Sequence, residues 1–439
     1  MNVAVAKTGG GRAVSDLFAG AQGRLPGSPS VTAVRREAFE TYERLGLPHR
    51  RIEEWKYTDL RARVGKVLPL AAAPDAAALK LAADAVKANA FAGARKLVLV
   101  DGVFAAGLSD VAALGEIGVR TLSDVLASEA VPAAGDLLRT VTTDAMISLN
   151  AALATDGIVL SIADGVEVSA PIQIIHVATA ASASAVTRSH VKIGHRARAT
   201  IVETFVAAER AGGYQVNDAV VLWIGDEADV AHVRLMDDAA DAVNVTSQFI
   251  TVGARTKLGV FNMTTGAALS RLQSWITLAG EGSELSVNGV NLLKQAEHGD
   301  TTLVVDHAVP NCASREIFRA VLDDRAHSVF QGRIIVRPDA QKTDGKMMTR
   351  ALLLSDEAEA DNKPELEIFA DDVSCGHGAT AGALDESLLF YLKARGLPEK
   401  QAQALLIQAF VGEAIEQIAD EALREHVIGL AERWLERRA

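Results

Sequence analysis

The sequence predicts a mainly β protein with helical ends, its centre a β-helix, or solenoid, of stacked coils. Two observations carry that prediction. Between residues 156 and 380 the chain runs in short β-branched stretches punctuated by Gly and Asp, whereas both flanks show apolar residues at helical spacing. Within the centre a degenerate unit recurs: an apolar residue, Gly or Asp, two loose positions, a small residue, then alternating apolar positions. It reads Ile193-Gly194-His195-Arg196-Ala197, Ile224-Gly225-Asp226-Glu227-Ala228 and Val252-Gly253-Ala254-Arg255-Thr256, with weaker copies at Ala279-Gly280-Glu281-Gly282-Ser283 and Leu322-Asp323-Asp324-Arg325-Ala326. The first four begin at Ile193, Ile224, Val252 and Ala279, near-even steps that fall within the period of stacked repeats. Sandwich strands recur every ~8–12 residues without such an echo, and a β-sandwich is the alternative on pattern alone.

Taken in order, residues 1–155 read as a mostly helical region. Val31, Val34, Ala38, Tyr42 and Leu45 share a helical face, with Ser30 placed as N-cap and Gly46 as stop. A strand-like run, Lys96 to Val100, ends at the turn pair Asp101-Gly102. Residues 156–380 form the solenoid, in which each coil's inward row of Ile, Val and Leu needs the next coil to cover it. Residues 381–439 are again helical. Asp385 can cap a helix running to Arg395, Gly396 ends it, and Pro398 suits the first turn of a second helix. Ile407, Phe410, Val411, Ala414, Ile415, Ile418 and Ala422 then mark one apolar face. That face must be covered by the solenoid's own end, as a cap, or by a partner protein.

Composition narrows the function. The 439 residues carry 56 acidic and 44 basic side chains, a net charge of −12, which argues against a nucleic-acid partner. The glycine-rich start has no apolar core of a signal peptide, and no apolar run is long enough to span a membrane. Two cysteines, Cys312 and Cys375, fit a reducing compartment, so the cytoplasm is expected and the sequons at Asn244 and Asn262 carry no weight. Gly345-Lys346 is followed by Met347 and lacks the upstream glycine of a phosphate loop, and Gly9-Gly10-Gly11 follows no strand. The chain therefore does not read as a nucleotide hydrolase or a dinucleotide enzyme.

The concentrated chemistry is Cys375-Gly376-His377-Gly378, at the junction of solenoid and tail. In an extended segment Cys375 and His377 face the same side, and a thiolate with an imidazole suits a borderline metal such as iron. A buried thiol beside a hydrogen-bonded histidine is the structural alternative. His298, His307 and Cys312 follow no recognised metal spacing, and Asp356, Glu357, Glu359 and Asp361 lack the glycine and loop grammar of a calcium hand, so they read as a solvated loop.

Several runs in fixed order carry a family resemblance: Glu53-Glu54-Trp55-Lys56-Tyr57-Thr58, the run from Gly332 to Asp344, Leu352-Leu353-Leu354-Ser355, the run from Lys363 to Ile368, Cys375-Gly376-His377-Gly378-Ala379-Thr380, and the run from Phe390 to Leu397. Together they resemble the SufB/SufD family of iron–sulfur cluster assembly proteins over nearly the whole chain. Gly378, where SufB chains typically carry Glu, points to the SufD branch. Where the family usually has a Gln and two Asn, this chain has Met347, Thr349 and Ala351.

The resemblance implies a right-handed parallel β-helix and a complex with SufB and two copies of the ABC-type ATPase SufC, docked through the helical tail. It implies a non-catalytic scaffold subunit, with His377 important for cluster formation at the SufB interface and Cys375 in the same motif. No cofactor is expected to stay tightly on the isolated chain; iron or an iron–sulfur cluster would be held transiently with SufB. About four protein ligands, mostly thiolates, hold such a cluster, and two cysteines cannot supply them. The rival readings are a SufB-type cluster-bearing scaffold and a β-helix carbohydrate-active enzyme. An isolated chain is open to pairing with itself through the surface SufB would cover.

Overall fold

The computed structural model describes residues 9–64, 68–115, 117–128, 134–139 and 142–438, with side chains from residue 15 onward. Residues 1–8, part of the glycine-rich start, lie outside the described residues. The amino-terminal helices are α1 (Gly9–Ala21), α2 (Pro29–Leu45), α3 (Leu60–Arg63), α4 (Ala76–Asn89), α5 (Leu122–Ala127) and α6 (Ala145–Leu153), interleaved with β1 (Arg95–Val100), β2 (Val103–Phe104) and β3 (Gly118–Thr121). Then come β4 (Ile158–Ile162), β5 (Ile172–Ala178), β6 (Ser184–Ile193), β7 (Arg198–Ala207), β8 (Gln215–Ile224), β9 (Asp229–Asp237), β10 (Val243–Val252) and β11 (Lys257–Thr264). The series continues with β12 (Leu269–Leu278), β13 (Glu284–Leu293), β14 (His298–His307), β15 (Ala313–Leu322), β16 (His327–Val336), β17 (Asp344–Leu353), β18 (Glu359–Ile368) and β19 (Ser374–Gly382). Three helices close the chain: α7 (Glu386–Ala394), α8 (Glu399–Ile415) and α9 (Glu421–Arg438).

From β4 onward, successive strands alternate between two sheets, one of order β19-β17-β15-β13-β11-β9-β7-β5-β1-β2 and one of order β18-β16-β14-β12-β10-β8-β6-β4-β3. Each pair of strands is one turn of a parallel solenoid of about eight turns. From β4 to β19 the ladders are parallel, which excludes the sandwich, whose neighbouring strands run antiparallel; the end pairs β1–β2 and β3–β4 are antiparallel. Coil length varies along the stack: the step from Val243 to its partner Leu269 is shorter than the step from His327 to its partner Glu359. The lumen holds the Ile, Val and Leu rows anticipated from the sequence, including Ile201, Leu222, Ile250, Leu285 and Ile334, all enclosed.

The repeated unit marks a corner, for a reason the pattern alone did not give. Its glycine is needed because the coils touch there: a Cβ on Gly225 would lie 2.7 Å from His195 N, and one on Gly280 1.9 Å from Ala254 N. The left-handed backbone falls two residues later, on Arg196 (φ 54°), Glu227 (φ 60°) and Arg255 (φ 52°). The copy at Leu322–Ala326 belongs to the opposite corner, between β15 and β16, so it is not in series with the other four.

Outer faces of both sheets are covered in part. Helix α6 and α2 pack with Val186, Val245 and Leu269 of the nine-stranded sheet, and α4 covers Val98, Ile175 and Val206 of the other. Ser28, not Ser30, precedes α2, with Pro29 in its first turn. Most of the carboxyl-terminal stripe is also absorbed: Ile407, Val411, Ala414, Ile415 and Ile418 are buried with Val233, Phe261, Val290 and Val321, while Phe410 is half-buried and Ala422 is exposed. That corrects the two coverings expected for it, since it lies on the flank of the ten-stranded sheet rather than on the solenoid's end or a partner. The tail is three helices, because the chain leaves the helix after Ile415 and Asp420 caps α9 by accepting a hydrogen bond from Leu423 N at 2.8 Å. No described helix is long and apolar enough to cross a membrane.

The run Glu53–Thr58 fastens the amino-terminal region to the solenoid. Trp55 is buried, its Nε1 donating to Asp144 Oδ2 at 2.7 Å while the Arg271 guanidinium lies 3.9 Å over its ring. Thr58 Oγ1 donates to Asp300, which also takes a hydrogen bond from Arg271.

Candidate functional site

Cys375 and His377 stand on β19, the last strand of the ten-stranded sheet. Register pairs Cys375 with Gly345 and His377 with Met347, and paired residues of a parallel ladder face the same way. Met347 belongs to the luminal core, so both motif residues point into the lumen at its open end. No further coil follows. Cys375 is half-buried against the core, whereas His377 is exposed. Burial pushes the Cys375 thiol up, with the Gly345 backbone and the Lys346 charge opposing it in part. A metal would therefore have to displace a proton from it.

The two glycines differ. A Cβ on Gly378 would come 2.6 Å from the Met348 side chain, while one on Gly376 would meet nothing nearer than Lys346 Cδ at 3.9 Å. Packing within the chain explains the first and leaves the second open.

The two terminal strands also differ as edges. Strand β18 carries Glu359, Asp361, Lys363, Pro364, Glu365 and Glu367, the charges and proline that discourage strand addition. Strand β19 reads Ser-Cys-Gly-His-Gly-Ala-Thr-Ala-Gly, with no formal charge and no proline. Its outer backbone groups are an open template for another strand.

The other sequence candidates do not converge. Cys312 is enclosed near the corner before β15, two coils away, its thiol donating to Gly280 O at 3.4 Å. His307 Nε2 meets Ser314 Oγ at 3.0 Å, and His298 Nε2 meets Thr58 Oγ1 at 2.8 Å. Asp356 and Glu357 are exposed in a turn, but Asp361 lies 2.8 Å from His327 Nε2, a contact the spacing did not suggest. Met347 fills the lumen beside His377, and Thr349 Oγ1 donates to Asn362 Oδ1 across it at 2.8 Å.

Comparison with known proteins shows the family. A model of the SUF system FeS cluster assembly SufBD core domain matches residues 176–410, and a model of the SufBD protein N-terminal region matches residues 14–68 and 92–174. The chain belongs to the SufBD family. The iron–sulfur cluster assembly protein SufD of Escherichia coli is 29% identical over 397 residues, 88% of each chain. A SufBD family protein of Synechocystis is 30% identical over 401 residues, covering 88% of this chain and 86% of the relative. SufD of Bacillus subtilis is 26% identical over 305 residues, 66% of each. As a SufBD protein most like SufD, the chain is an iron–sulfur cluster assembly protein of the SUF system. Its open terminal coil is part of the matched core domain.

Proposed function

We propose that this SufBD chain acts as the SufD-type, non-catalytic subunit of the assembly scaffold, pairing with a SufB chain through β19 and carrying a SufC-type ATPase on its helical tail. The single observation behind this reading is the unguarded terminal strand that holds Cys375 and His377 in an open lumen. One thiol and one imidazole are half of a ligand set or less, so a partner strand laid on β19 would complete it. In this division residues 1–155 brace the solenoid, residues 156–380 form the pairing core and residues 381–439 dock the ATPase. Iron or a nascent cluster is cargo, held transiently between the two chains in the cytoplasm.

The carbohydrate-enzyme alternative is less well supported. Three of the acidic residues lining the cleft outside the nine-stranded sheet are tied to cations, Asp306 to Arg337 at 2.9 Å, Glu365 to Arg333 at 3.3 Å and Glu53 to Lys363 at 2.5 Å, and Asp144 is engaged by Trp55 Nε1 and the first turn of α6. The hydrogen bond and charge of Lys363 hold the Glu53 carboxyl below its usual range, the wrong direction for a general acid.

The test is co-expression of His377→Ala and Cys375→Ala chains with SufB and SufC. The expected result is an intact complex in both, a strong loss of cluster formation in His377→Ala and a weaker loss in Cys375→Ala. Normal cluster output from both would refute the assignment, and a stoichiometric cluster reconstituted on the isolated chain would favour the SufB-type reading.

A further inference from the structure

A second cluster of metal-competent side chains lies away from β19, on the outer face of the nine-stranded sheet. Register places His298 of β14, His327 of β16 and Glu359 of β18 side by side, with Asp300, Val329 and Asp361 in the next outward row. His327, Glu359 and Asp361 each bring a ligand atom within 4.8 Å of the other two. His327 Nε2 and Asp361 Oδ2 are 2.8 Å apart. Two donors on adjacent corners of an octahedron with ~2.1 Å bonds stand about 3 Å apart, so this pair is already spaced to share a cation.

Charge favours one. Glu359 makes no ion pair among the described residues, and Asp361 meets an imidazole rather than a fixed cation. Elsewhere on this face the carboxylates of Glu53, Asp306, Glu365 and Glu367 are met by Lys363, Arg337 and Arg333.

The histidine behind the cluster adds a second, independent feature. His298 is fully buried, and its ring stands edge-on to that of His327 at 4.7 Å. Thr58 Oγ1 donates to the Asp300 carboxylate and so accepts from His298 Nε2–H, which leaves His298 Nδ1 as a buried lone pair with no partner among the described residues.

A different group, His176, Glu203 and Asp218, is also close-set, but Arg234 bridges Glu203 at 3.0 Å and Asp218 at 2.8 Å, so its charge is already met.

We propose that His327, Glu359 and Asp361 form a binding site for a first-row divalent cation such as Fe(II), Mn(II) or Zn(II). One imidazole and two carboxylates suit these ions better than Ca²⁺, which prefers all-oxygen sets, or Cu(I), which prefers sulfur. Three protein ligands leave the remaining positions to water, so the ion is exchangeable. The site involves neither Cys375 nor His377 and does not depend on the role proposed for β19.

The test uses the full chain, titrated with Mn(II) and followed by the loss of the free-ion EPR signal, with anaerobic Fe(II) and Zn(II) titrations by calorimetry alongside. One equivalent should bind the parent, the Cys375→Ala and the His377→Ala chains alike. Asp361→Asn and Glu359→Gln should each weaken it at least about tenfold. Glu359 is exposed, so Glu359→Gln keeps the test valid if Asp361→Asn unfolds, which far-UV dichroism would reveal. Absence of binding to the parent, unchanged affinity in Glu359→Gln, or loss of the equivalent in Cys375→Ala or His377→Ala would overturn the proposal.

Discussion

Met347 and His377 are direct neighbours in the β17–β19 ladder, one enclosed in the lumen and the other open to solvent. Packing and exposed chemistry therefore meet at one step between coils, and substitutions can separate them. Met347→Ala should empty luminal volume and cost about 2–5 kcal/mol of unfolding free energy. His377→Ala should change it by no more than about 0.5 kcal/mol, because nothing encloses the ring. Urea unfolding of both variants checks this. A large loss in His377→Ala would mean the histidine is structural.

One coil further in, the same inward row continues from Met347 to Glu316. Burial pushes the Glu316 carboxyl up to about 8, with Ser314 and Arg315 offsetting only part of it. An unfolded glutamate loses its proton near 4.5, so between 4.5 and about 8 the folded chain holds a proton the unfolded chain has released. Through this group, stability falls as pH rises across that window and carries no penalty below it. Glu316→Gln should remove the slope and gain on the parent towards pH 8, by about 1.4 kcal/mol for each pKa unit relieved. Parallel denaturation curves for parent and variant across this range would count against it.

The corners make a sharper contrast between glycines. Gly280→Ala would drive a methyl into the Ala254 backbone, and overpacking of this kind costs about 1–3 kcal/mol. Gly376→Ala meets open space within the chain and should fold with the parent's stability, yet weaken capture of a SufB chain, since the methyl would stand on the proposed pairing edge. Thermal unfolding and a pull-down read the two effects separately. Normal capture by Gly376→Ala would move the pairing surface elsewhere.

The solenoid was legible because a coil cannot be covered without a next coil of similar length, and that need writes an echo into the corners. The two ends of α7 were legible too: Asp385 accepts from Ser387 N and Leu388 N, and Gly396 takes a φ of 89°, whereas the cap of α2 was misplaced by two residues. The meeting of His327 with Asp361 was not. Coil length drifts between the Val243–Leu269 step and the His327–Glu359 step, so spacing cannot fix the register. Nor could the apolar stripe around Ile407 and Val411 say what covers it, since a partner surface and the chain's own sheet demand the same residues. Cys375 and His377 were found by motif and alternation, but the contrast between β18 and β19 as edges appears only once both are seen to end their sheets.

With the stripe of α8 and α9 spent on the solenoid's flank, α7 presents the most exposed large apolar side chains of the tail, ahead of Leu405 and Ile428. None of its residues is buried, and Leu388, Phe390 and Tyr391 are 52%, 74% and 53% exposed. Arg395 donates to Tyr391 Oη at 2.7 Å and stacks on its ring, holding the aromatic in place at the surface. Deleting α8 and α9 would bare Val233, Phe261, Val290 and Val321, so loss of partner capture after that truncation would report misfolding rather than docking. Replacing Phe390 and Tyr391 together by Ser removes no buried side chain. The doubly substituted chain should keep the parent's far-UV spectrum and its thermal midpoint, still pair with SufB, and lose capture of the SufC-type ATPase. Retained ATPase capture by this folded variant would show that α7 is not the docking element.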